Sequence, residues 1–367
     1  MIRILHYGIS SNAGGIETYL LNLTQHVDHD RFHFDFVHNR VGEPCFYKEL
    51  TAMGSRFYAI TPRKESLRKN RRELDELFER ESFDIFHCHV NTLSYVEPIK
   101  AALRHGCRVA VHSHNAGASN SLVTTLLHRA HSATFPRDRV TPIAVSRLAG
   151  EWLYGKGSQF EIINNGIDVC RFEFDQAARD RVRAELDLQS NFVVGNVAAF
   201  LPAKNHTFLV RIFEALSERI PEAKLLLVGA GPLEDQVRRQ VAALGLTDKV
   251  LLLGRRADIP DVLSAMDRFV FPSLYEGFPL AVLEAQVAGL PSVISEAVTD
   301  EVVVTDFCTR LSLARSPAQW AHALVAVGEG RDRRSSSREA SRAGLSAEVA
   351  AERVQRLYLD MMASRTQ

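Results

Sequence analysis

Short apolar runs alternate along the chain with amphipathic segments of helical period. Residues 2–7 (IRILHY) form the first apolar run, and residues 15–27 (GIETYLLNLTQHV) repeat apolar positions along one helical face. The alternation continues through the runs FHFDFVH, DIFHCH and CRVAVHSHN, each followed by a further helical pattern. Strands that alternate with helices predict parallel sheets covered by helices on both faces.

The pattern restarts after residues 161–171 (EIINNGIDVCR), whose Asn-Asn-Gly triplet is typical of a turn. A second series of apolar runs follows, comprising NFVVGNVA, KLLLVGAG, VLLL, RFVF and LPSVIS. The charged, serine-rich residues 331–344 predict exposed or mobile chain. We therefore predict an α/β protein with two doubly wound, Rossmann-like domains facing each other across a cleft: residues 1–163, a linker at 164–171, residues 172–344, and a closing helix at 345–367.

Composition narrows the class of protein without naming it. The 367 residues are 46% hydrophobic and 24% charged, and 44 basic residues balance 44 acidic ones, which gives no case for a nucleic-acid partner. Five dispersed cysteines with no CxxC pair indicate reduced thiols. The N-terminal run has a strand pattern, and no apolar run reaches the roughly 18 residues of a membrane span. We expect a cytoplasmic protein, with peripheral membrane contact left open.

Residues 273–285 (SLYEGFPLAVLEA) carry two glutamates, Glu276 and Glu284. Because proline favours the start of a helix, we expect a helix to begin near Pro279. Glu276 then lies in the preceding loop and Glu284 lies inside the helix. A helix start binds phosphate readily, so the stretch suits a ligand with an anionic middle and hydroxyls at both ends. The alternative is two unrelated surface charges.

Two glycines follow the first strand of the first predicted domain, and a lysine follows the first strand of the second. Gly14 and Gly15 either let a ligand approach the backbone closely or form a tight turn that needs positive φ. Lys204 follows the run NFVVGNVAAF, where a cation complements a phosphate or is simply solvated. Residues 229–234 (GAGPLE) match two thirds of a dinucleotide fingerprint, but Glu234 replaces its third glycine. We expect a turn there that borders a nucleotide, not an NAD site.

Histidines close two of the predicted strands. His87 and His89 end one strand, and His112 and His114 end the next. Four histidines raise the question of a metal, yet no acidic residue joins them at ligand spacing. We expect one catalytic or binding histidine, with His87 and His89 as core residues. The triplet Asp28–Asp30 has the DxD form of metal-dependent transferases, but it lies at the wrong end of the sheet, so we predict no metal.

A basic segment precedes and begins a helix of the first domain. Its cations are Arg63, Lys64, Arg68, Lys69, Arg71 and Arg72. Such a run is usually a solvated face, but it also suits contact with anionic lipid headgroups.

Taken together, these motifs resemble the retaining glycosyltransferases of family 4, which have the GT-B fold. The resemblance covers nearly the whole chain and rests on segments such as GGIETYLLNL, VHSHNA, NNGID, KNHTFLVRIF, KLLLVGAGPLED and SLYEGFPLAVLEAQVAGLPSVIS. It is strongest toward the branch found in capsular and exopolysaccharide synthesis. The resemblance implies a metal-independent hexosyltransferase that needs no cofactor, with a nucleotide sugar, favouring UDP, as donor and a glycan or lipid-linked glycan as acceptor.

The resemblance also implies roles for individual residues. Glu284 would bind the ribose hydroxyls, and Glu276 would hold the transferred sugar. His114, or His112 as the alternative, would contact that sugar near the reacting carbon. The diphosphate would meet the amides of Phe278 and Leu280, the side chain of Lys204, and the backbone at Gly14 and Gly15, with Arg255 or Arg256 as a further cation.

One position departs from the family. An arginine usually lies five residues before the lysine, where this chain has Ala199. The implied reaction is a retaining transfer through an oxocarbenium-like state, in which the leaving phosphate oxygen takes the acceptor proton. Two alternatives stay open: a nucleotide-sugar 2-epimerase of GT-B shape, and a non-catalytic protein that binds sugar nucleotides.

Overall fold

The structure is a computed structural model, and it describes residues 1–12, 14–117, 122–328, 333 and 336–363. The chain divides into two compact units. The first comprises residues 1–167 and 345–367, and the second comprises residues 168–344. Each unit contains a parallel sheet with helices packed on it, as the alternating pattern predicts. Among the described residues, no helix is both long and apolar enough to cross a bilayer.

The sheet of the first unit has seven strands in the order β3-β2-β1-β4-β5-β6-β7. The strand order reverses beside β1, which pairs with β2 on one side and with β4 on the other. Ligands of doubly wound sheets bind at the carboxyl edge of such a reversal. The strands are β1 (Ile2–Ile9), β2 (Phe32–Asn39), β3 (Phe57–Ile60), β4 (Ile85–Val90), β5 (Arg108–Ser113), β6 (Thr141–Ala144) and β7 (Glu161–Ile162).

Seven helices accompany this sheet in the described residues, and the last of them comes from the end of the chain. Serine side chains cap two of them, because Ser66 and Ser146 each accept a hydrogen bond from a backbone N–H in the first turn. The helices are α1 (Gly15–His26), α2 (Tyr47–Ala52), α3 (Leu67–Arg80), α4 (Glu97–Arg104), α5 (Leu122–Ala133), α6 (Arg147–Tyr154) and α14 (Ala347–Ala363).

The second unit has a six-stranded sheet in the order β10-β9-β8-β11-β12-β13, so its reversal lies between β8 and β11. Its strands are β8 (Phe192–Val197), β9 (Ala223–Val228), β10 (Val250–Gly254), β11 (Arg268–Phe271), β12 (Ser292–Ser295) and β13 (Cys308–Leu311). Its helices are α7 (Gln176–Glu185), α8 (His206–Arg219), α9 (Glu234–Ala243), α10 (Ile259–Ala265), α11 (Leu280–Val287), α12 (Pro317–Ala326) and α13 (Ser336–Arg342).

The closing helix α14 packs into the core of the first unit. Ala351, Val354 and Leu357 join the buried cluster that also holds Ile4 and Leu20. The sheet is therefore covered on this face by residues from both ends of the chain. All six positions of β4 are buried, so its two histidines lie inside the core together with its apolar side chains.

Within residues 331–344, which were predicted to be exposed or mobile, Ser336 and Ala340 are buried and Arg333 is held by hydrogen bonds, whereas Arg338 and residues 341–343 are exposed. The guanidinium of Arg333 donates hydrogen bonds to the carbonyl oxygens of Leu263, Ser264, Met266 and Ala288. Burial lowers the pKa of Arg333 to about 9. Carbonyl oxygens at the carboxyl ends of α10 and α11 lack hydrogen-bond donors within their own helices, and the Arg333 guanidinium provides those donors. Residues 331, 332, 334 and 335 lie outside the described residues.

Candidate active site

Two loops meet at the carboxyl edge of the second unit's sheet. One follows β8 and the other follows β11. The backbone N–H of Leu274 donates to the carbonyl oxygen of Ala203 at 2.7 Å. The side-chain amide of Asn205, a residue in the left-handed conformation with φ of 55°, donates to the Pro272 carbonyl oxygen at 3.1 Å. These bonds fix both loops at the reversal point of the sheet.

Lys204 and Glu276 form an ion pair between these loops. Lys204 Nζ lies 2.6 Å from Glu276 Oε1, and the two side chains are 21% and 11% exposed. The ammonium also lies 5.4 Å from the centre of the Phe271 ring. The sequence predicted separate roles for these two residues. The structure places them in direct contact, so each charge is held in position by the other.

Helix α11 begins at Leu280, directly after Pro279, as the proline predicted. Phe278 and Leu280 are almost fully buried, at 5% and 7% exposed. The loop and the helix start are therefore held by packing, and the first amides of α11 point along the axis at its N-terminus. A helix start of this kind attracts anions such as phosphate.

Glu284 lies in the middle of α11 and is partly exposed. Burial of its carboxyl raises its pKa to about 7, and the positive charge of Arg171 opposes that rise. Near neutral pH this group is therefore divided between its neutral and charged forms. A ligand that donates hydroxyl hydrogen bonds favours the charged form.

Close packing explains why the loop at residues 229–231 has two glycines. Gly229 has φ of +140°, and a Cβ there would lie 2.1 Å from the Ala198 carbonyl oxygen. A Cβ on Gly231 would lie 2.7 Å from the Phe200 carbonyl oxygen. Glycine is required because this loop touches the backbone of the loop that holds Ala199. The partial dinucleotide fingerprint thus has a structural cause.

The two arginines after β10 differ in their surroundings. Arg256 is held by Asp258 at 2.6 Å and by Glu185 at 2.8 Å. Arg255 has an exposed side chain. Of the two further cations that the sequence offered, Arg256 is therefore already committed to ion pairs within the protein.

In the first unit, Gly14 and Gly15 lie at the start of α1. Gly14 is extended, with φ of −151°, and Gly15 is not among the residues with positive φ. A Cβ on Gly15 would meet nothing within 4 Å. The alternative of a turn that needs positive φ is therefore wrong. Glu17 stabilises the preceding loop because its carboxylate accepts hydrogen bonds from the N–H and hydroxyl of Ser10.

Five histidines, four of them buried and His114 partly exposed, form a cluster on the neighbouring strands β1, β4 and β5 and just beyond β5. His6 Nδ1 lies 3.0 Å from His89 Nε2, and His89 Nδ1 lies 2.9 Å from His114 Nε2. His87 Nδ1 lies 2.6 Å from the Tyr358 hydroxyl of α14. The fifth member, His112, has both ring nitrogens buried with no partner among the described residues.

Sequence reasoning missed His6 and Tyr358 as members of this cluster. His6 pairs directly with His87 in the sheet register, a relationship that depends on β1 and β4 being neighbours. The tyrosine arrives from the other end of the chain. His87 was predicted as a satisfied core residue, but its Nε2 is buried without a partner among the described residues.

Burial lowers the pKa of every histidine in the cluster. The pKa of both His6 and His114 falls to about 3, and that of His87, His89 and His112 falls well below the usual value. Neutral imidazoles are metal ligands. Two trios bring their nitrogens within 4.8 Å of one another: His6 with His87 and His89, and His89 with His112 and His114.

The Asp28–Asp30 triplet lies in an exposed turn between α1 and β2. The backbone N–H of Asp30 donates to Asp28 Oδ1 at 3.0 Å, which is ordinary turn chemistry. Since the turn precedes β2, it lies at the opposite end of the sheet from the histidines, as the sequence indicated.

Comparison with known proteins identifies the class. Residues 13–171 match the family described as Glycosyltransferase Family 4, and residues 191–345 match Glycosyl transferases group 1. The fold is similar to that of HepE from Anabaena, solved in complex with UDP and glucose, with a TM-score of 0.81 at 19% identity over 98% of this chain and 100% of that one. The chain is a glycosyltransferase of the GT-B fold.

Relatives with higher sequence identity support the assignment. One relative is EpsF of Bacillus subtilis, which is named as a glycosyltransferase. It is 31% identical over 90% of this chain and 89% of its own length. An Escherichia coli UDP-Gal:alpha-D-GlcNAc-diphosphoundecaprenol alpha-1,3-galactosyltransferase is 27% identical over 80% of this chain and 79% of its own. The protein belongs to glycosyltransferase family 4.

Proposed function

We propose that this glycosyltransferase moves a sugar from a UDP-sugar, with retention of anomeric configuration, to a lipid-linked glycan during cell-surface polysaccharide synthesis. The observation that carries the proposal is the Lys204–Glu276 pair beside the start of α11, at the reversal point of the second sheet. The UDP complex of HepE and the lipid diphosphate acceptor named for the E. coli relative support the choice of donor and acceptor.

In the second unit the donor would be held along the carboxyl edge. Lys204 and the amides of Phe278 and Leu280 would meet the diphosphate, where an ammonium and a helix start together stabilise negative charge. Glu276 would accept hydrogen bonds from the transferred sugar, and Glu284 would accept them from the ribose. Arg255, exposed after β10, is a further candidate cation.

In the first unit, His114 is the better candidate to contact the sugar. His114 is partly exposed, whereas His112 is fully buried. The neutral His114 ring would present a hydrogen bond without adding charge beside an oxocarbenium-like centre. The open space above Gly15 would let a phosphate approach the start of α1.

Catalysis would come from positioning and from stabilisation of the departing diphosphate. The acceptor hydroxyl would attack the face from which the nucleotide leaves, and the leaving phosphate oxygen would accept its proton. The ammonium and helix amides would provide the positive field that a metal provides in other transferases. The reaction would then need neither a covalent nucleophile nor a divalent ion.

Reversible contact with the inner face of the membrane is also part of the proposal. In the basic segment, Arg71 pairs with Glu97 and Arg72 pairs with Glu76. Arg63, Lys64 and Arg68 are exposed and supply the positive charge that anionic headgroups attract.

A donor panel tests the proposal. Purified protein is mixed with UDP-, GDP- and ADP-sugars, with and without a lipid diphosphate glycan, and thermal shift, nucleotide release and the anomeric proton of the product are recorded. We expect UDP-sugars to stabilise the protein and UDP to be released mainly with acceptor. Epimerised sugar without an acceptor would indicate the 2-epimerase, and binding without turnover across the panel would indicate a binding protein.

A further inference from the structure

Helix α5 presents large aliphatic side chains to solvent. Leu122 is 82% exposed, Val123 65%, Leu126 64% and Leu127 42%. Residues four apart lie on the same side of a helix, so these four form one apolar face. We call this set of four residues the α5 face. Exposed apolar patches of this kind usually mark a docking surface.

The opposite side of α5 is held to the protein by histidines. His128 is buried, stacks on Trp152 at 4.7 Å, and accepts a hydrogen bond from the Leu93 N–H at 3.0 Å. His131 Nδ1 lies 2.7 Å from the Leu93 carbonyl oxygen. A surface helix normally turns its apolar side inward. Here the polar side faces inward, and no residue in the described part of the chain covers the α5 face.

The stretch of chain that contains the α5 face is basic. Residues 98–137 contain no aspartate or glutamate. Arg129, seven positions after Leu122, is exposed on the same side of the helix. The basic segment is linked to α5 through a series of contacts. Arg63 stacks over Tyr95 at 4.8 Å, and Tyr95 lies two residues from Leu93, which bonds the histidines of α5.

We propose that the α5 face inserts into the interface of a lipid bilayer with anionic headgroups. An apolar stripe beside arginines matches the acyl boundary and the negative headgroups. A symmetric contact with a second copy fits less well, because it would bring together two faces that each carry Arg129.

The position of the α5 face suits the acceptor. The exposed aliphatic residues occupy the N-terminal half of α5, and this helix follows β5, the strand that ends beside His114. Docking there would leave a lipid-linked acceptor's tail in the bilayer and its sugar near the sheet edge. This reason for docking rests on the proposed function, whereas docking itself can be measured separately.

Vesicle co-sedimentation tests the inference. The full chain is mixed with vesicles of phosphatidylcholine and phosphatidylglycerol in equal parts, and with vesicles of phosphatidylcholine alone. We expect Val123→Asp/Leu126→Asp to lower the partition coefficient at least about tenfold on the anionic vesicles. Val41→Asp, at a position 62% exposed in the same unit, is the matched control and should bind like wild type.

A gain of signal gives an independent readout. In Leu126→Trp, brominated lipids should quench the added fluorescence above the level seen with the native Trp152 and Trp320. Val41→Trp should show no added quenching. Unchanged partition of the aspartate variant, or no quenching of Leu126→Trp, would overturn the proposal. So would light scattering that shows a dimer lost in the aspartate variant while vesicle binding is kept.

A soluble assay separates this inference from the proposed function. With a water-soluble acceptor, Val123→Asp/Leu126→Asp should keep wild-type turnover of the UDP-sugar. Wild-type protein that binds vesicles through the α5 face but turns over no donor would contradict the proposed function alone. Wild-type turnover without α5-dependent binding would contradict this inference alone.

Discussion

Lys204 and Glu276 contact each other at 2.6 Å although 72 positions separate them in the chain. Both lie on loops at the carboxyl edge of the second sheet, and neither is much exposed. The pair holds a cation and an anion ready at one point. A donor with a diphosphate beside a sugar would contact both residues. Its phosphate oxygens would take the place of the Glu276 carboxylate at the Lys204 ammonium, and its sugar hydroxyls would donate hydrogen bonds to that carboxylate.

Substitution of Glu276 should separate sugar recognition from nucleotide binding. In Glu276→Gln, Lys204 loses a competing anion, so we expect UDP affinity to stay equal or to tighten. Turnover should fall by about 10²–10³, since the carboxylate proposed to hold the transferred sugar would be lost. Calorimetry with UDP and steady-state kinetics measure the two effects.

The matched control is Glu214→Gln, in which the lost charge pairs with Arg211 on the surface of α8. It should leave both quantities unchanged. A loss of UDP affinity in Glu276→Gln would contradict the assignment of Glu276 to the sugar.

Removal of Lys204 should be more damaging, because Ala199 stands where relatives of this family usually carry a second cation. We expect Lys204→Ala to lower turnover at or beyond the upper end of about 10²–10³ and to weaken UDP binding. Arg256→Ala should leave turnover unchanged, because Arg256 is committed to Asp258 and Glu185. Near-normal kinetics of Lys204→Ala would shift the role to Arg255.

Glu284 should make donor binding depend on pH. Its pKa is about 7 in the folded protein, and hydrogen bonds from a diol favour the charged carboxylate. UDP-sugar affinity should therefore rise about tenfold from pH 6 to pH 8, as the ionised fraction increases. A UDP-sugar is used because its diphosphate does not titrate in this range. Glu284→Gln should bind more weakly at pH 8 and lose the pH dependence.

The same residue should affect stability with the opposite sign. A folded-state pKa raised from 4.5 to about 7 favours folding fully below 4.5, and that contribution is lost as pH rises through 7. Melting temperature of the ligand-free protein should fall between pH 6 and pH 8, by less in Glu284→Gln than in wild type. Equal pH profiles for the two proteins would show that Glu284 is ionised normally.

Activity should survive removal of divalent ions. Because Lys204 and the start of α11 would neutralise the diphosphate, turnover in excess EDTA should match turnover without it. Loss of turnover restored by Mn²⁺, Mg²⁺ or Zn²⁺ would contradict the metal-independent mechanism. The next variant would then be His87→Asn, which removes one nitrogen from the His6, His87 and His89 trio.

Local sequence determined the architecture of this protein. The alternation of strand and helix periods depends on neighbours a few residues apart, so it predicted a doubly wound sheet in each half. Pro279 predicted the start of α11 because proline restricts its own backbone and lacks an N–H. The edge strands β7 and β13 were missed because β7 has only two residues and β13 has polar residues at its two central positions.

Tertiary structure decided which of these residues meet. The order of strands brings Lys204 to Glu276, brings His6 beside His87, and carries Tyr358 back to the first sheet. The burial of Arg333 and the outward apolar side of α5 likewise depend on what packs against each element. Sequence period sets which side of an element is apolar, but whether that side is covered depends on contacts between residues far apart in the chain.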